Sequence, residues 1–397
     1  MLLNIDRASR LMDENGLDGL LATTASNVFY LSGLWSIGLV LLPTETQVYA
    51  IVSREQPSRP VLVVSTGELD TVMDCFPGVQ VISYGNFYRE VAEGVEFSPL
   101  EVRLKELGVG REPESDALKA LAAALEESGL TDRAIGLDEH GINPAYPSEL
   151  KKRFPRLKIK PAASVFRQIT MVKTEEEIKR LRAAVEVTEK AILKAVSTAR
   201  EGVTEAEMGK EFEKALIEQG GQPLITCLHI GRSTVFINRR PGDTALRKGD
   251  QILFDVGCRY QGYASDIART FAFGDVGERA RRYYAAILEG QERGLETIKA
   301  GVRAQDVFRA TVAAVREAGI PHFRRHHVGH GIGIDVYDPP LLAPGDETVL
   351  EEGMVMDIEQ PYYEIGTGAL AVEDTFVVTK GRAELLTSIS RKLEVLD

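Results

Sequence analysis

The sequence predicts an α/β N-terminal domain followed by an α+β domain, and three observations carry the prediction. The first is length, since 397 residues exceed what one hydrophobic core usually organises. The second is an alternation of short apolar runs with helical patterns over about the first 165 residues. The third is a change of character after Leu224, where strand-like segments take over.

Taken in order, a helix is predicted over Arg7 to Glu14, followed by the apolar runs LDGLLA, IGLVLLP, QVYAIVS and VLVVS of an α/β layer. Between Phe154 and Met171 the periodicity fades around Pro155 and Pro161, which places the division between residues 1–165 and 166–397. Thr174 and Glu177 form a capping-box pattern, and Ile178, Leu181, Val185 and Ile192 then recur at helical spacing. Thr204 and Glu207 repeat the signal, with Met208, Phe212 and Leu216 on one face and Gly220-Gly221 as the stop. The segments QILFDVG, YASDIARTFAFG, GMVMDIEQ and ALAVEDTFVVT read as strands, with two helical stretches between Glu278 and Ala318. The second domain thus reads as helices covering one face of a largely antiparallel sheet.

Composition narrows the function classes. An apolar fraction of 44% and a charged fraction of 27% are those of a folded globular chain. A net charge of -12, without any basic cluster interleaved with aromatics, argues against nucleic acid and anionic lipid as partners. Cys75, Cys227 and Cys258 are three in number and lack CxxC spacing, so a disulfide framework is not expected and a reducing compartment is. Asp6, Arg7 and Arg10 stand where a signal peptide needs its apolar run, and no apolar stretch is long enough to span a bilayer. A soluble, cytoplasmic protein with no membrane partner is the expectation.

Four carboxylates stand out. Asp255 lies in the apolar segment QILFDVG, and Asp266 follows eleven residues later across the turn-like CRYQGY, so a hairpin can bring the two side by side. Glu359 in VMDIEQP and Glu373 in ALAVEDT repeat the situation. A buried carboxylate costs several kcal/mol unless something positive neutralises it. One such acid is ordinarily a turn cap or a partner of a surface arginine, but from His326 to Thr379 the chain has neither Lys nor Arg. Metal cations are the economical remedy. His330, in HHVGHGIG, adds an imidazole among glycines that let the backbone approach closely. Four carboxylates and an imidazole balance two divalent cations and leave room for a bridging hydroxide, in a pair about 3.5 Å apart. Oxygen-rich ligation favours manganese, with cobalt, zinc or iron able to substitute.

The segments DVGCRYQGYASDIART, HHVGHGIG, DIEQP and AVEDTFVVT resemble the metal-binding segments of the pita-bread metallopeptidases, the family of methionine aminopeptidase, aminopeptidase P and prolidase. The match spans about Arg167 to Thr379, and RLMDENGLDGLLATTASNVFYLSG resembles the first domain of aminopeptidase P, prolidase and creatinase. The resemblance implies an α/β N-terminal domain plus an α+β pita-bread catalytic domain. It implies Asp255, Asp266, His330, Glu359 and Glu373 as ligands, Glu359 as proton shuttle, His326 at the substrate pocket, and a homodimer.

Three accessory positions depart from the family pattern. Tyr337 replaces a second histidine, Asn238 another, and Ala371 an arginine two residues before the last ligand. A phenol still donates a hydrogen bond, so Tyr337 is expected to face the substrate carbonyl. Arg239 and Arg240, beside Asn238, are candidates to anchor a peptide carboxylate, and His229 is a site-adjacent candidate. The expected function is hydrolysis of the Xaa-Pro bond of dipeptides or short peptides. The alternatives are aminopeptidase P action on longer peptides, creatinase-type hydrolysis of a non-peptide C–N bond, and non-catalytic peptide binding.

Overall fold

The computed structural model describes residues 2–43, 45–110 and 112–397, which divide into two compact units, Met1–Thr170 and Met171–Asp397.

The N-terminal unit begins with α1 (Ile5–Asn15), held at its start by the Asn4 side chain and stopped by Gly16 in the left-handed region. It continues through β1 (Gly19–Ala22), α2 (Ala25–Ser32), α3 (Ile37–Leu41), β2 (Tyr49–Ser53), β3 (Val61–Ser65) and β4 (Gln80–Tyr84). Then follow α4 (Pro99–Gly108), α5 (Ala117–Glu127), β5 (Ala134–Leu137), α6 (Tyr146–Arg153), β6 (Lys158–Pro161) and α7 (Ala163–Met171). The strands form one mixed sheet in the order β4-β3-β2-β1-β5-β6. Leu21, Ile51, Val63 and Ile135 from the sheet pack with Leu121 and Leu125 of α5.

One apolar run departs from expectation. IGLVLLP does not join the sheet but makes the short helix α3, none of whose residues is buried. The Glu68 carboxylate accepts from the Ser36 hydroxyl at 2.8 Å and from the Gly38 N–H at 2.7 Å, which holds the chain in a helical turn at that point.

The second unit opens with α8 (Glu175–Val196) and α9 (Glu205–Glu218), and both capping boxes form as the sequence indicates. Next come β7 (Gln222–Ile230), β8 (Gln251–Tyr260), β9 (Tyr263–Ala264), β10 (Ile267–Phe273), α10 (Gly277–Thr297) and α11 (Ala304–Glu317). The rest is β11 (Gly329–Gly331), β12 (Asp338–Leu341), β13 (Val355–Glu359), β14 (Tyr362–Glu364), β15 (Gly368–Leu370), β16 (Glu373–Val377), β17 (Glu384–Leu385) and β18 (Glu394–Leu396).

Where one sheet was expected, there are two main ones. The first runs β18-β10-β8-β7, with β9 on β8, and the second runs β12-β11-β13-β16-β17. The two long helices α10 and α11 separate β10 from β11 in the chain, and the strands β11, β12, β13, β16 and β17 that follow pair among themselves, while the last strand, β18, returns to β10 of the first sheet. Ile287, Val307 and Val315 of these helices pack with Met356, Ile358 and Phe376 of the second sheet. Cys75, Cys227 and Cys258 are free thiols, and no described helix is long and apolar enough to cross a membrane.

Candidate metal centre

Strand register brings the acids together. Glu359 on β13 stands opposite Glu373 on β16, Asp357 opposite Thr375, and His330 on β11 opposite Asp357. Directly opposed residues project to the same side of a sheet, so His330, Asp357, Glu359 and Glu373 share one face. The approach of β11 to β13 requires glycine before the histidine. A Cβ at Gly329, whose φ is +152°, would lie 2.1 Å from the Asp357 carbonyl oxygen.

In the other sheet Asp255 is opposite Ala268, not Asp266. Asp266 lies two residues before Ala268, on the same side, so the two aspartates are diagonal neighbours. The two strands pass closely at this point. Gly257 faces this crossing, and a Cβ there would meet the Ser265 carbonyl oxygen at 1.9 Å.

Asp266, His330 and Glu373 each direct a ligand atom into one place, within 4.8 Å of one another, and all three residues are buried. Asp266 Oδ1 and His330 Nε2 have no hydrogen-bond partner, an arrangement costly in a finished core. His330 Nδ1 lies 3.1 Å from the Gly331 carbonyl oxygen, so the proton belongs on Nδ1 and the Nε2 lone pair is available. Burial lowers the pKa of this imidazole, which keeps it neutral.

Burial, and then the neighbouring carboxylates, push Asp266 and Glu373 well above the usual carboxylate range. Asp255 is pushed up to about 7 by burial and by Glu359. Asp357, behind His330, is raised in the same way by burial, although the Thr375 hydroxyl donates to it at 2.5 Å. Asp374, on the opposite face of β16, shows the contrast. Burial works against its charge too, but Arg269 at 2.6 Å and donors from Gln291 and Thr387 hold its pKa below the ordinary value. Asp255, Asp266, Asp357 and Glu373, the acids raised in this way, all belong to the site. Hard oxygen donors, one available imidazole nitrogen and excess buried negative charge suit divalent cations.

Glu359 differs from its neighbours. Burial raises its pKa, but His327 and Arg325 outweigh that and leave it lowered. His327 Nδ1 is 3.0 Å from Oε1, and Arg325 Nη2 is 3.3 Å from Oε2. Neither partner was legible in sequence. Arg325 lies one residue outside the stretch without basic residues, and His327 reads as a mere neighbour of His326. His326 itself is exposed, its ring edge-on to His327 with centroids 4.3 Å apart.

Tyr337 stacks on His330, with ring centroids 3.8 Å apart and planes at 22°. More than half of Tyr337 is exposed, but desolvation of its inner part and then the four carboxylates Glu359, Glu373, Asp266 and Asp255 raise its pKa, so the phenol stays protonated beside them. Ala371, in place of an arginine, is buried with Leu253, Ala268 and Ala369. Asn238, Arg239 and Arg240 are not among the acids. They are exposed and line a separate cleft with Cys227, whose Cα partner is Asp255. His229 is buried between the Glu205 carboxylate at 3.4 Å and the Arg239 carbonyl oxygen at 3.1 Å, where it fastens that loop.

Residues 179–380 match metallopeptidase family M24, and residues 4–172 match the Creatinase/Prolidase N-terminal domain. The chain belongs to metallopeptidase family M24. Among its relatives is an Xaa-Pro dipeptidase of Pyrococcus horikoshii, 27% identical over 391 residues that make up 98% of each chain. In structure this M24 metallopeptidase is similar to an Xaa-Pro dipeptidase from Bacillus anthracis, with TM-score 0.78, 24% identity and 99% of each chain covered. It is also similar to the prolidase from Pyrococcus horikoshii, with TM-score 0.76, 25% identity and coverage of 98% of this chain and 99% of that one. The pita-bread architecture expected of the second domain is therefore the observed one.

Proposed function

We propose that this M24 metallopeptidase hydrolyses the Xaa-Pro bond of dipeptides or short peptides, using two divalent ions, manganese foremost, held by Asp255, Asp266, His330, Glu359 and Glu373. The observation that carries the reading is the convergence of Asp266, His330 and Glu373 with unpaired, buried donor atoms. The relatives named for Xaa-Pro substrates supply the substrate class. Ions at this site would supply Lewis acidity toward the scissile carbonyl and toward water.

The protein's own groups do the rest. Glu359, oriented by His327 and Arg325, receives a proton from the attacking water and returns it to the leaving proline nitrogen. The Tyr337 hydroxyl, kept protonated on the His330 ring, donates to the developing oxyanion. The test is hydrolysis by metal-reconstituted enzyme of an Xaa-Pro dipeptide, an Xaa-Pro tripeptide and a dipeptide lacking proline. Cleavage of the proline substrates with sparing of the control supports the reading, and equal cleavage of all three, or of none, defeats it.

A further inference from the structure

β7 ends the sheet order β18-β10-β8-β7, and among the described residues no strand pairs with its outer edge. An unpaired edge presents a row of backbone donors and acceptors, here interrupted at its start by Pro223, which has no N–H, and by the register shift between Pro223 and Ile225. Along this edge runs a cleft of about 630 Å³ lined by Pro223 to Cys227 of β7, by Lys210 and Glu213 of α9, and by Asn238 to Pro241. Thr226 and Cys227 point to opposite faces of the strand, as consecutive residues must. Thr226 bonds Glu213 of α9, whereas Cys227 faces Asp255. A cleft lined by both residues follows the strand's edge rather than either face. It also begins next to the metal-site acids.

The charge around it is mainly positive. Lys210, Arg239 and Arg240 line the cleft against the single carboxylate of Glu213, which Thr226 already engages. Arg239 lies over the Phe236 ring at 5.5 Å, and neither Arg239 nor Arg240 makes an ion pair with a carboxylate among the described residues. The loop is anchored, since Pro241 packs against Gly209 and the Arg239 carbonyl oxygen meets His229.

We propose that the outer edge of β7 receives the residues of a peptide substrate that follow proline, as an added extended strand whose terminal carboxylate is read by Arg239 and Arg240. The idea rests on the proposed Xaa-Pro reading and deepens it, because it makes peptides longer than a dipeptide productive ligands. Backbone pairing supplies sequence-tolerant affinity, and the cations select a free acid end. Cys227 is the register partner of Asp255, so a strand added beyond β7 runs two strand spacings, about 10 Å, from that aspartate, within reach of the residues that join proline to the bound segment.

The experiment measures binding to the metal-loaded enzyme of an Xaa-Pro pentapeptide whose Xaa-Pro bond is reduced to a methyleneamine, by calorimetry. Two analogues are compared, one N-methylated at the amides after proline and one with a C-terminal amide. The expected results are a rise in Kd of about 10-fold on N-methylation and of about 10-fold or more on amidation, the size of a lost charge-assisted hydrogen bond. In Arg239→Ala/Arg240→Ala the acid and amide forms should bind alike, while N-methylation still weakens binding. Kd values within two-fold for all three peptides, or no binding at millimolar concentration, overturn the proposal. Hydrolysis of an unreduced Xaa-Pro dipeptide, which has no residue after proline, is scored separately, so failure of the Xaa-Pro reading is distinguished from failure of the edge.

Discussion

Glu359 and Glu373 stand directly opposite each other on β13 and β16, a placement in which two ionised carboxylates repel. With Asp255 and Asp266 facing them, the cluster is tolerable when cations occupy it. The purified protein is expected to bind two divalent ions per chain by elemental analysis. Asp266→Asn and Glu373→Gln should lose at least one ion and lower kcat by more than about 1000-fold, with the circular dichroism spectrum retained. Full turnover after exhaustive chelation would contradict the two-ion assignment.

Stability of the metal-free protein should depend on pH in the sense opposite to that of ordinary ion-paired acids. The folded-state pKa values of Asp266, Glu373 and Asp255 lie above those of the unfolded chain, that of Asp255 at about 7. The folded state therefore holds more protons, and stability present below the ordinary carboxylate range is lost as pH rises through the raised values. Denaturant midpoints of the chelated protein should fall from pH 5 to pH 8. Added manganese should remove most of that fall, and a pH-independent midpoint without metal would refute the account.

Tyr337→Phe keeps a ring to stack on His330 but removes the hydroxyl. Loss of one oxyanion donor predicts a fall in kcat of about 100-fold with KM little changed. Because the raised pKa keeps the phenol protonated, the wild-type rate should show no limb near neutrality from this group. An unchanged kcat would leave Tyr337 a packing role only.

His327 orients Glu359 from 3.0 Å away. His327→Ala should lower kcat about 10- to 100-fold while both ions remain bound, the usual cost of losing such a support. His327→Gln, which keeps a polar side chain, should recover part of the rate. Equal activity of all three proteins would mean that Arg325 alone suffices.

Arg269 is fully buried, pairs with Asp374 at 2.6 Å and also donates to the Ser390 carbonyl oxygen. Arg269→Met leaves the buried Asp374 carboxylate with only the longer ion pair to Arg391 at 3.9 Å and should destabilise the protein by about 3 kcal/mol in urea unfolding. Arg269→Met/Asp374→Leu should restore part of that loss, because the buried carboxylate is gone and the Arg391 side chain left without it is partly exposed to water. A single substitution within 1 kcal/mol of wild type would show the pair to be dispensable.

Much of this was legible in sequence because it depends on local pattern. The capping boxes at Thr174 and Thr204 and the helices they start are written in a few adjacent residues. Asp266, His330 and Glu373 were also visible, since acids and an imidazole inside apolar strands are chemically conspicuous wherever those strands end up. The run IGLVLLP misled because apolarity alone does not separate a strand from a short helix, and the Glu68 carboxylate that settles it is thirty residues from Gly38.

What the sequence by itself determined is the inventory: two units, the helices with their own start signals, and a set of carboxylates in apolar segments, of which Glu359 and Glu373 lie in a stretch from His326 to Thr379 without Lys or Arg. Tertiary structure decided who meets whom. Asp374 is neutralised and Glu373 is not because adjacent residues of a strand face opposite sides, and Arg269 lies on only one of them. Arg325 and His327 reach Glu359, while Arg239 and Arg240 border the edge of β7, because the loops that carry them are fastened to the sheets, one by the Glu359 N–H on the Val328 carbonyl oxygen and the other by His229 on the Arg239 carbonyl oxygen. Register and burial are sums over many long-range contacts, and no local stretch of sequence contains them.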